Sequence, residues 1–244
     1  MDTIFIIALI SMIGPIIGSF LGVMKIVNKR IIFHMLAFAA GVMISISFLE
    51  LIPEAIEMSS IFLTAIGVLF GAAIMFLLDK FIPHYHPEPS QNLLEQSEKF
   101  NMKRTAKYLI AGIFIHNFPE GIAIAATQDP SVSITIALAI AIHNIPEGIC
   151  TSAPYYYATG KKLKAFLISS STALPVLLGF IVARFLFVGL SDSVIGFVAA
   201  ATAGLMIYIS ADELIPSSCR KICDHRTITS LIIGIIFTIL LGYL

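Results

Sequence analysis

The chain has 244 residues, of which 58% are hydrophobic and 12% charged, and its formal net charge is zero. With a mean hydropathy of +0.95, this is the composition of a polytopic all-α membrane protein. It excludes a separate soluble domain, so residues 1–244 are expected to form a single transmembrane domain.

Eight apolar segments follow in chain order, near 3–24, 31–52, 58–79, 106–128, 131–153, 165–188, 194–217 and 227–244. At 1.5 Å per residue most are long enough to cross a hydrocarbon core of about 30 Å. The first has no basic region before it and no small-residue cleavage site, so it reads as a mature helix. Segments 4 and 5 are separated by little more than Asp129-Pro130, a tight hairpin. The longest connection, about 80–105, carries His84-Tyr85-His86-Pro87 and then a polar, charged run. It is either a weak metal-holding loop or a solvated linker. Tyr155, Tyr156 and Tyr157 read as an interfacial belt cluster.

The basic residues orient the chain. Lys25, Lys29 and Arg30 lie between segments 1 and 2, and Lys80, Lys99, Lys103, Arg104 and Lys107 between 3 and 4. Lys161, Lys162 and Lys164 lie between segments 5 and 6, and Arg220, Lys221 and Arg226 between 7 and 8. These are 14 of the 15 Lys and Arg, with Arg184 the exception. The positive-inside rule puts those four connections in the cytoplasm and both termini outside. Cys219 and Cys223 then face a reducing compartment, and with Cys150 they are expected as thiols.

Two internal repeats stand out. Ile115-His116-Asn117-Phe118-Pro119-Glu120-Gly121-Ile122 in segment 4 returns in segment 5 as Ile142-His143-Asn144-Ile145-Pro146-Glu147-Gly148-Ile149. An ionisable group at the bilayer centre costs roughly 2.5–3.5 kcal/mol on insertion scales and is functional by default. His at i and Glu at i+4 share a helix face, so an imidazole nitrogen and a carboxylate can reach one ion. Pro at i+3 cannot donate to the carbonyl four residues back, which frees the carbonyls of Ile115 and Ile142. The second repeat aligns residues 41–53, from Gly41 through Glu50 to Pro53, with residues 204–216, from Gly204 through Glu213 to Pro216. Nine of the thirteen positions are identical. Five crossings separate these copies, so they run in opposite directions. Segments 1–3 are therefore expected to mirror segments 6–8, and segment 4 to mirror segment 5. Such inverted repeats mark secondary transporters.

Several residues have two readings. Asn117 and Asn144 either ligate or hydrogen-bond between helices. Glu50, Glu213 and, beside it, Asp212 are either gates or carboxylates snorkelling to the interface. Pro53 and Pro216 are expected to end their helices. Cys219, Cys223 and His225 either receive exiting metal or form an ordinary loop. A His and Glu one turn apart on a membrane helix also suggests an intramembrane zinc hydrolase, but no His-Glu-x-x-His phrase is present.

The paired His-Asn-x-Pro-Glu-Gly phrases, eight spans and the His-bearing third connection resemble the ZIP (Zrt/Irt-like) metal transporters, nearest their bacterial zinc-transporter and GufA-like branch. The resemblance implies metal uptake into the cytoplasm across the cell membrane, with His116, Glu120, His143 and Glu147 as ligands and Asn117 and Asn144 helping to build an adjoining site. Many relatives carry a Glu directly before the segment-6 proline, where this chain has Leu174. Imidazole and carboxylate ligands suit Zn²⁺, Fe²⁺, Mn²⁺, Co²⁺ or Cd²⁺, with zinc favoured by the resemblance. The metal is cargo, and no resident cofactor is implied. The expected partners are the ion and the lipid bilayer, with a homodimer admitted and nucleic acid not.

Overall fold

A computed structural model describes residues 3–24, 29–81, 94–126, 130–186, 191–219 and 225–241, and among these there is no strand. The helical runs are α1 over 3–22, α2 over 29–58, α3 over Ile61–Phe81, α4 over Leu94–Ala126, α5 over Pro130–Thr159, α6 over 162–186, α7 over 192–218 and α8 over His225–Leu241. Among the described residues, four stretches are long and apolar enough to cross a membrane: Phe5–Gly22, Arg30–Met58, Lys162–Phe185 and Asp192–Ser218. Ile61–Leu77 and His225–Leu240 are shorter apolar helices.

Two boundaries differ from the sequence expectation. The fourth helix begins at Leu94 rather than near 106. No Gly or Pro interrupts residues 94–111, which lets the helix start well back in the polar run. His84 and His86 lie outside the described residues. The expectation that Pro53 and Pro216 end their helices is also wrong. Each is preceded by one π-helical turn, Ser47–Leu51 in α2 and Ser210–Leu214 in α7. The amide of Ile52 reaches back to the Ser47 carbonyl and that of Ile215 to the Ser210 carbonyl. This i→i−5 bonding accommodates the bond that proline cannot make, and α-helix resumes to Met58 and to Ser218. Both turns fall at the same position of the 41–53 and 204–216 repeat.

Segments α1 and α6 are interrupted as well. α1 breaks at Met12, between Thr3–Ser11 and Ile13–Gly22. α6 has a 3₁₀ turn at Ser171–Ala173, just before Pro175.

The packing pairs α1 with α5, α4 with α6, α2 with α8 and α3 with α7, and α4 and α5 lie against each other. A central core joins Leu36 and Met43 of α2, Leu109 and Ile113 of α4, and Met206 and Ile209 of α7. A second core joins Ile7 of α1, Ile124 of α4, Ala137 of α5, and Val176 and Phe180 of α6. Tyr155, expected at an interface, is 5% exposed and packs with Val23, Ala106 and Ala165. Large side chains such as Phe62, Leu69 and Phe185 stay exposed, which suits a hydrocarbon surround.

Candidate metal centre

The two repeated phrases meet. His116, Asn117 and Glu120 project from one face of α4, and His143, Asn144 and Glu147 from the facing side of α5. Asn117, Asn144 and His116 are fully buried, Glu147 is 2% exposed and His143 is 8% exposed. His143 Nε2 lies 3.0 Å from Glu120 Oε1 in a hydrogen bond. His116 Nε2 lies 3.3 Å from Glu147 Oε1 and 3.6 Å from Glu120 Oε1. Each imidazole therefore faces a carboxylate of the other helix. Asn144 Nδ2 donates to Glu120 Oε2 at 3.0 Å, and Asn117 Nδ2 donates to the Thr172 carbonyl at 2.7 Å, in the 3₁₀ turn of α6.

The glycines that close each phrase explain how neighbouring helices come so near. A Cβ on Gly121 would strike the Val176 carbonyl of α6, and one on Gly148 would meet the Pro15 carbonyl and Ser19 amide of α1. Only glycine lets these backbones touch, so α6 and α1 press directly behind the two carboxylates.

Buried polar atoms ordinarily find partners. In this centre both nitrogens of His116, both carboxylate oxygens of Glu147, and the amide oxygens of Asn117 and Asn144 have none in hydrogen-bond geometry. With each Asn donating through its nitrogen, each amide oxygen keeps its acceptor capacity for a cation. The histidines and glutamates contact one another directly, and among the described residues no three His, Cys, Asp or Glu side chains already stand in metal-ligating geometry.

A cavity of about 200 Å³ reaches this centre, lined by Glu120 and His143 together with Glu50 and Glu54. Glu54 was not singled out from the sequence. It lies one turn beyond Glu50, a spacing that points both to one face once the helix is known to pass through Pro53. Asp212 and Glu213 do not line this cavity. Glu213 is 3% exposed and accepts a hydrogen bond from Ser217 at 2.9 Å, so it is not a snorkelling surface carboxylate.

Leu174 is 49% exposed, and the α6 group that touches the centre is the Thr172 carbonyl. Cys150 is a buried free thiol, as expected, but Cys219 is disulfide-bonded. Cys223 lies outside the described residues. His225 opens α8 and is exposed.

A family model described as "ZIP Zinc transporter" matches residues 1–105 and 88–243, which together span nearly the whole chain. The chain belongs to the ZIP zinc-transporter family. Among its relatives are proteins named zinc transporter ZupT from Escherichia coli O127:H6 (strain E2348/69 / EPEC), E. coli O1:K1 / APEC and E. coli K12 / DH10B. Each is 39% identical over 223 residues, covering 88% of this chain and 86% of the relative. ZIP proteins are transporters and not enzymes, so the hydrolase reading falls away, and the chain is a multi-pass membrane protein.

Proposed function

We propose that this ZIP protein carries a divalent transition metal, zinc foremost, across the cell membrane into the cytoplasm through a centre built by His116, Asn117, Glu120, His143, Asn144 and Glu147. Fe²⁺, Mn²⁺, Co²⁺ and Cd²⁺ share the ligand preference. The observation that carries the reading is the gathering of both repeated phrases into one buried centre in which the His116 nitrogens, the Glu147 oxygens and the amide oxygens of Asn117 and Asn144 lack hydrogen-bond partners. With neutral imidazoles, Glu120 and Glu147 supply a charge of −2, which one divalent ion cancels. Loading exchanges the His143–Glu120 and His116–Glu147 contacts for metal bonds. Zinc entry into proteoliposomes containing only the purified chain tests the proposal, and absence of flux above empty vesicles contradicts it.

In this reading the eight helical runs are eight spans of one domain with both termini outside. α1–α3 mirror α6–α8, and α4 mirrors α5. The matching π turns of α2 and α7 support the repeat. So does the packing, because α2 on α8 corresponds to α7 on α3, and α1 on α5 to α6 on α4. Glu50 and Glu54 then line the external approach to Glu120 and His143, and Asp212 and Glu213 occupy the equivalent place on the cytoplasmic side. Single cysteines at the exposed positions Glu54 and Lys162 are expected to react with an impermeant maleimide from opposite faces, in a background where Cys150, Cys219 and Cys223 are serine. Labelling of both from one face contradicts the topology.

A further inference from the structure

We propose that the ends of α4, α5 and α6 on the Lys-rich side hold an anionic glycerophospholipid of the inner leaflet. The groove between them has a volume of about 590 Å³ and plays no part in the transport reading. Its two walls share one polarity. On α4, Lys103, Lys107, Ile110 and Phe114 follow at spacings of four, three and four residues, which places them on a single helix face. On α6, Lys164 is followed one turn later by Ile168. Both walls therefore run from ammonium groups to hydrocarbon in the same direction, towards the middle of the membrane. All three lysines are exposed, and among the described residues no Asp or Glu lines the groove.

The chemistry selects an amphiphile. Basic pockets between transmembrane helices on the cytoplasmic side bind anionic head groups. Lysines at helix ends keep their ammonium groups in the interface while their stems cover apolar surface. A free phosphate would use the three lysines and Tyr155 and leave the apolar walls bare. The stretch from Lys107 to Phe114 adds about 10 Å of helix whose outward groups, Ile110 and Phe114, offer a wall to an acyl chain, with Phe114 40% exposed. The groove reaches Ile115, directly before His116, so a lipid seated there would lie against the helices that bear the metal centre. Only the leaflet named rests on the topology proposed above.

Native mass spectrometry of the purified full chain in detergent, offered equal phosphatidylglycerol and phosphatidylcholine, tests the assignment. Preferential retention of phosphatidylglycerol is expected, weakened roughly fivefold for each lysine removed in Lys103→Gln, Lys107→Gln and Lys164→Gln. A matched triple variant at Lys80, Lys161 and Lys162 loses the same charge from exposed positions and is expected to keep the preference. Equal retention of the two lipids overturns the proposal. Equal losses in both triple variants overturn it too, because net charge alone then explains the effect. Displacement of the lipid by an equal concentration of glycerol 3-phosphate points to a free-phosphate site and also overturns it. The readout needs no metal flux. A chain that moves no zinc but binds phosphatidylglycerol through these lysines refutes the transport reading and leaves the lipid site standing.

Discussion

Replacing Glu120 or Glu147 with Ala is expected to abolish zinc uptake into proteoliposomes while leaving the chain folded and inserted. Each change leaves a single carboxylate against a divalent ion in a centre where Glu147 is 2% exposed and the two histidines are buried. Removing one partner from a buried charge pair costs about 3–5 kcal/mol, so occupancy should fall by at least about a hundredfold. Glu120 has a second role, since its two oxygens hold His143 and Asn144 at 3.0 Å each and so tie α5 to α4. His116→Ala and His143→Ala remove neutral ligands and are expected to lose somewhat less. Initial rates with a fluorescent zinc indicator inside the vesicles check this. Near-normal flux in the Glu120→Ala, Glu147→Ala double variant contradicts the reading.

The second large effect concerns the glycine that follows each Glu. Gly148→Val is expected to destabilise the chain and to stop transport together, and Gly121→Val to do the same. The added Cβ at Gly148 finds the Ser19 amide nitrogen at 2.7 Å and the Gly18 carbonyl carbon at 2.9 Å, and at Gly121 it finds the Phe180 amide nitrogen at 2.7 Å. Extra methylenes forced into a packed interior typically cost about 1–3 kcal/mol. Here the obstructing atoms are main chain, which cannot rotate away, so α1 or α6 must move off as a whole. Size-exclusion chromatography after a heat ramp in detergent measures the effect. Unchanged melting of both variants contradicts the close approach of α1 and α6 behind the carboxylates.

The centre was legible in the sequence because its information is local. His, Asn, Pro and Glu within one turn of an apolar helix, written twice, needed only the 3.6-residue period to place both sets on facing sides. What proline does to a helix was less legible. Pro53 and Pro216 cannot complete an i→i−4 bond, which reads locally as a stop. The surrounding packing instead holds a π turn at Ser47–Leu51 and Ser210–Leu214 and carries the helix onward. Glu54 was lost with that stop. Its place in the cavity wall beside Glu50 depends on one further turn of α2. The burial of Tyr155 follows the same pattern, since Val23, Ala106 and Ala165 on neighbouring helices decide that this ring is enclosed. The Asn117 bond to the Thr172 carbonyl was beyond sequence reasoning, because the 3₁₀ turn that presents this carbonyl lies 55 residues away.

The central claim is that His116, Glu120, His143 and Glu147 bind the transported ion together. Zinc K-edge X-ray absorption of the purified, zinc-loaded chain, compared with a His116→Ala, His143→Ala variant, tests it most directly. The account predicts nitrogen and oxygen ligands at about 2.0–2.2 Å with imidazole scattering, and loss of that imidazole signal in the variant. Sulfur scattering near about 2.3 Å, or an imidazole signal undiminished in the variant, contradicts it.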